Sequence, residues 1–224
     1  MPGGWTMSMA WMPMAGQTWL NAAASFVGMW AVMMVAMMLP SLAPTLWRYR
    51  QTLGGPGKTR LSWLTALVGI GYFFVWTVFG IVVFPLGAAL AGIEMHRPTL
   101  AKIVPFAVGA VIVIAGAFQF SAWKAHHLAC CREIPGSGQT LPADAGALWR
   151  QGLRLGLHCI YGCAGFTAIL LVIGIMDLGA MALVTAAITA ERLAPNGERV
   201  ARAMGIVVVG TGLLLIARAA GRLG

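Results

Sequence analysis

The sequence predicts an all-α fold, a polytopic membrane helix bundle of about six transmembrane helices with a periplasmic N-terminus. Three observations carry this expectation. Of 224 residues, 59% are hydrophobic and 9% charged, against roughly 25% charged residues in a soluble domain. The apolar residues fall in several runs near the ~20-residue length that crosses a bilayer. The basic residues gather in the connections on one side of those runs, as the positive-inside rule requires of cytoplasmic loops. No connection is long enough for a second core, so residues 1–224 are read as a single membrane domain. The first residues lack the basic start, apolar stretch and small-residue site of a removable signal peptide, and Met1 is expected to begin the mature chain.

Residues 1–20 (MPGGWTMSMAWMPMAGQTWL) are uncharged and rich in Met, Trp, Gly and Pro, which suits an outer interfacial segment anchored by amphipathic indoles. The first crossing is placed at Phe26 to Trp47, with Pro40 and Pro44 expected to kink its far end because each removes a backbone donor. The loop RYRQTLGGPGKTR follows, and a second crossing lies within Leu61 to Leu90, long enough to tilt or to leave the membrane near Pro85. A third runs from about Ile103 to Trp123 into a cytoplasmic connection, residues 124–151. The apolar run from Leu153 to Ala190 measures roughly 57 Å as one helix, nearly twice the hydrocarbon thickness. It must fold back, and Asp177 with two glycines places the turn at Gly174 to Gly179. A sixth crossing covers about Val200 to Ile216.

This arrangement puts 11 of the 15 basic residues in the connections after crossings one, three and five, Lys124 and Arg192 among them. Arg218 and Arg222 on the other side pull against it and leave a five-crossing variant open. The net charge of +9 is thereby assigned to topology, not to nucleic-acid binding, because the cations do not line one amphipathic face.

Soft side chains supply the candidate chemistry. Ten of the 14 methionines fall within the first 38 residues. Met7, Met9, Met12 and Met14 lie in the outer segment, where they would capture a metal. Met29, Met33 and Met37 recur every fourth residue, with Met34 and Met38 as a neighbouring stripe, and side chains four apart share a helix face. Thioether sulfur suits Cu(I) and is neutral, so it enters lipid at little cost. Its alternative role is to fill gaps in an apolar core. His126, His127, Cys130 and Cys131 form a second group, in which His126 with Cys130 or His127 with Cys131 have the spacing to share an ion. Thiolate with imidazole suits Cu(I) or Zn(II), and a reduced, idle pair beside interfacial histidines is the other reading.

In the fourth crossing Cys159 and Cys163 share a face, and Gly156, Gly162 and Gly165 allow a neighbouring helix to approach. His158 is an ionisable group inside a crossing, which marks a site or a polar partner. Gln119 and Asp177 are read as helix packing and turn formation, and Glu191 as a surface ion pair with Arg192. No GxGxxG, P-loop, HExxH or Gly-x-Ser-x-Gly pattern is present, so an enzyme is the lesser expectation.

The stretches MWAVMMVAMMLPSLAP, FQFSAWKAHHLACCRE and GLHCIYGCAGFTAILLVIGIMDLGAM, the last leading to AER, resemble a bacterial family of predicted metal-binding integral membrane proteins. That family, catalogued as a domain of unknown function, has been described as copper-chaperone-like. The likeness runs from about Trp5 to Glu191 and rests on Met-Met-x-x-Met-Met-x-Pro and two spaced cysteine pairs. Asp177 departs from it, standing where the family commonly has Asn.

Together these readings lead to a copper-handling protein of the bacterial inner membrane, passing Cu(I) to a copper-enzyme client or across the bilayer. Zinc ranks behind copper, and haem further back, because no attachment motif accompanies the histidines. Two alternatives stand beside it. One is a thiol–disulfide oxidoreductase using the four cysteines, disfavoured by a cytoplasmic placement. The other is an accessory subunit of a larger membrane complex, docking through glycine-rich faces.

Overall fold

The computed structural model describes residues 11, 16–52, 57–96, 103–132, 144–175 and 177–221. Seven helices follow in order: α1 (Trp19–Thr52), α2 (Lys58–His96), α3 (Val104–Phe118), α4 (Ala122–Arg132), α5 (Ala145–Ile173), α6 (Leu178–Leu193) and α7 (Gly197–Gly221). By length and composition, α1, α2, α5 and α7 can each cross a membrane, and α3 with α4 make a fifth span if that pair, bent by 66°, counts as one. α6 has 16 residues, about 24 Å at 1.5 Å per residue, which is short of the ~30 Å hydrocarbon layer. Among the described residues the chain therefore has four full-length helices, one bent pair and one short helix.

The bundle is apolar outside and holds polar groups within, the distribution expected when lipid is the solvent. Leu20, Val32, Leu178 and Leu183 are among its most exposed large side chains, whereas Ser41, Gln119, Lys124, His127, Thr167 and Glu191 are buried. α1 and α2 run antiparallel, with Leu46 beside Gly69 and Trp30 beside Gly80, and Trp30 Nε1 donates to Trp76 O at 3.0 Å. α2 and α5 run parallel, Val68 lying against Gly152 and Tyr72 against Gly156. Glycine is required at 156, since a Cβ there would stand 2.9 Å from Tyr72 O. Gly162, expected to serve the same purpose, has nothing within 4 Å of the place a Cβ would take. α5 lies at the centre, packed on α2, α3, α4 and α6, while α1 packs on α2 and α6, and α7 on α3 and α6.

Two turns decide where the polar groups go. The first is the hairpin predicted at Gly174 to Gly179: α5 ends at Ile173, Gly174 takes φ +132°, and Asp177 caps α6 by accepting from Ala180 N at 2.8 Å. Left-handed backbone excludes most side chains, which is why glycine stands there. The second interrupts the third expected crossing. The amides of Gln119, Phe120 and Ser121 each bond three residues back, to Gly116, Ala117 and Phe118, so α3 tightens and stops. Ser121 Oγ then accepts from Lys124 N at 3.1 Å, a side-chain cap that starts α4. The segment expected to begin a cytoplasmic connection at Lys124 is instead helical to Arg132 and packs back on α5. α1 continues through Pro40 and Pro44 to Thr52, and α2 through Pro85 to His96, so these prolines lie inside helices.

Candidate metal centre

Met33, Met34, Met37 and Met38 are all buried, and they share one continuous core with Cys131, Cys159, Cys163, Tyr72 and Trp76. Met29, a turn earlier, is partly buried against that core. Helical pairing of the methionines turns one stripe of α1 inward, as their spacing predicted. Met7, Met9, Met12 and Met14 lie outside the described residues.

Cys159 is fully enclosed and Cys163 is 4% exposed. Their sulfurs lie 3.8 Å apart on neighbouring turns of α5. An ion bonded to both at the ~2.3 Å typical of metal–thiolate bonds would subtend about 110°, an unstrained angle for a soft ion. Tyr72 Oη donates to Cys159 Sγ at 2.9 Å from α2, and all four cysteines are free thiols. Among the described residues no three His, Cys, Asp or Glu side chains come close enough to hold a metal by themselves. Any ion taken up by this pair must complete its shell with other donors, and the buried thioethers are of the right softness.

Arg192 ties the cysteines to the methionine helix. Its Nη2 donates to Cys131 Sγ at 3.4 Å and its Nη1 to Ser41 Oγ at 3.3 Å. Ser41 in turn gives its hydroxyl hydrogen to Met38 O at 3.0 Å. Side chains from α1, α2, α4, α5 and α6 thus meet around the sulfurs.

The histidines form a separate group. His127 and His158 face each other through their Nδ1 atoms at 2.9 Å, so one ring donates and the other accepts. Trp123 lies 4.5 Å from the His127 ring and Tyr161 5.1 Å from it, between centroids. His126 is exposed, and its Nε2 is 3.7 Å from Cys130 Sγ. Of the two expected pairs, His126 with Cys130 forms and His127 with Cys131 does not: His127 turns to α5 and Cys131 to α6. Successive helix residues diverge by about 100°, which sends Cys130 and Cys131 to different neighbours.

Lys124 and Glu191 form a buried ion pair, Nζ to Oε2 2.8 Å, with both side chains almost wholly enclosed. Lys124 also donates to Gln119 Oε1 and stands over the Phe166 ring at 4.7 Å. This corrects the reading of Glu191 as a surface partner of Arg192, and of Lys124 and Arg192 as loop cations. Tyr72, Ser41, Lys124 and Arg192 are site residues that sequence reasoning missed. A signal existed for the last two, since each abuts a long apolar run, but charge at a helix end reads equally well as topology.

A family model described as PpoB2, copper chaperone, matches residues 27–215, from α1 into α7. No curated protein and no solved structure matches the chain.

Proposed function

The chain belongs to the copper-chaperone family, and from that premise we propose that it holds Cu(I) at Cys159 and Cys163 and passes it to a copper-enzyme client. The observation that carries the reading is the enclosed sulfur pair 3.8 Å apart, in one core with four buried methionines. Copper is the cargo here. Thiolates form the strong bonds, and thioethers offer neutral, weaker ones that let an ion enter and leave. The methionine stripe of α1 is the approach, with Met7, Met9, Met12 and Met14 as capture ligands at its outer end. His126, His127, Cys130 and His158, which stand apart from the sulfur pair, are a second binding point near the bend between α3 and α4.

The same reading embeds the bundle in the bacterial inner membrane with the N-terminus periplasmic. Apolar helices and the distribution of basic residues support this. In this reading transfer is facilitated or driven by the partner's affinity, since no nucleotide-binding pattern occurs in the sequence.

The test is titration of the purified protein with Cu(I) against a chromophoric chelator without oxygen. The expected result is about one or two Cu(I) per chain, lost in Cys159→Ser. Met33→Leu with Met37→Leu lowers affinity yet changes stability by under ~1.5 kcal/mol per substitution, because each swap conserves volume. Unchanged copper binding in both variants overturns the reading.

A further inference from the structure

Among the described residues, Lys124 and Arg192 bring positive charge into the packing of α4 and α6. Lys124 is engaged by Glu191 at 2.8 Å. Arg192 is the other cation here, bonded to Cys131 Sγ, which shares one continuous core with Cys159 and Cys163. We propose that Arg192 is the charge-selecting residue of this centre, making its complex with a monovalent soft ion neutral and its complex with a divalent ion charged. The inference rests on the proposed use of Cys159 and Cys163 as ligands.

The charge balance is direct. On binding, each of the two thiols releases a proton to solvent, leaving two negative sulfurs. With Cu(I) or Ag(I) the complex carries one negative charge, which the guanidinium cancels. With Zn(II) the complex is neutral and the guanidinium charge stays as it was before binding, so Arg192 adds nothing to Zn(II) affinity, whereas without Arg192 the Cu(I) complex would leave a bare negative charge among sulfurs that are nearly inaccessible. Uncompensated charge is strongly disfavoured in such surroundings. The hydrogen bonds suit the role. Ser41 spends its only hydrogen on Met38 O, so its oxygen is free to accept from Nη1 and to orient the fork. That leaves Nη2 on the sulfur side. Guanidinium is also less strongly hydrated than ammonium, which favours it in a half-buried place.

The experiment compares wild type, Arg192→Gln and Arg192→Lys, all full length in detergent, titrated separately with Cu(I) and Zn(II) against chelators of known affinity. Arg192→Gln is expected to weaken Cu(I) binding on the order of 10²-fold, the scale of losing one partly screened neighbouring charge. Zn(II) binding stays the same or tightens. Arg192→Lys restores the wild-type order of preference. A purely structural role would weaken both metals together, so parallel losses, or no change for Cu(I), overturn the proposal. Tryptophan fluorescence on heating reports folding, and if Arg192→Gln unfolds, Arg192→Met carries the same comparison. Cys159→Ser separates the two claims. If it abolishes Cu(I) binding while Arg192→Gln shifts both metals alike, only the role of Arg192 falls; if it leaves Cu(I) binding intact, the ligand assignment itself falls and takes this inference with it.

Discussion

Replacing Glu191 by Leu tests the least expected feature of the fold. The Lys124–Glu191 pair is almost wholly enclosed, with 2.8 Å between Nζ and Oε2. It joins α4 to α6, the helices that also present Cys131 and Arg192 to each other. Removing the carboxylate strands an ammonium whose remaining partners are Gln119 Oε1 and the Phe166 ring. Breaking a buried pair from one side costs about 3–5 kcal/mol, because the cost is that of an uncompensated charge. For a chain of this size that lowers the unfolding midpoint by roughly 10 °C. Replacing both partners, Lys124→Met with Glu191→Leu, removes the charges together and returns stability to within ~1 kcal/mol of wild type, since apolar replacement of a buried pair is neutral or stabilising. Thermal unfolding in detergent, followed by the fluorescence of the nine tryptophans, measures all four corners of the cycle. A single-variant cost below ~1 kcal/mol, or a double variant as unstable as the two losses added, would refute the reasoning.

Two further outcomes follow from the packing. Gly156→Val drives a side chain into Tyr72 O, a backbone atom that cannot swing away; the seam between α2 and α5 loses ~1–3 kcal/mol, and Cu(I) affinity falls with it as Tyr72 leaves Cys159, both measurable on one preparation. Asp177→Ala deletes the cap on α6 and costs ~1 kcal/mol in thermal unfolding, whereas Asp177→Asn keeps an acceptor oxygen and stays within a few tenths of wild type; an equal loss in both would show that charge, not the hydrogen bond, matters there.

The apolar helical character of the chain, the reversal between Ile173 and Leu178, and the shared faces of Met29, Met33 and Met37 and of Met34 and Met38 could be read from the amino-acid order alone. These are legible because they are local: run length, helical period and the need for glycine at φ +132° depend only on neighbouring residues. The meeting of Cys159 with Tyr72, of Cys131 with Arg192 and of Lys124 with Glu191 was decided by the tertiary structure. So was the break at Ser121, where a hydroxyl and three short-range hydrogen bonds redirect what reads as one crossing into two helices. The physical reason is that a charged residue at the end of an apolar run satisfies topology and burial equally on paper. Only the packing of α4 and α6 around α5 supplies the opposite charge and the sulfur that hold Lys124 and Arg192 inside the bundle.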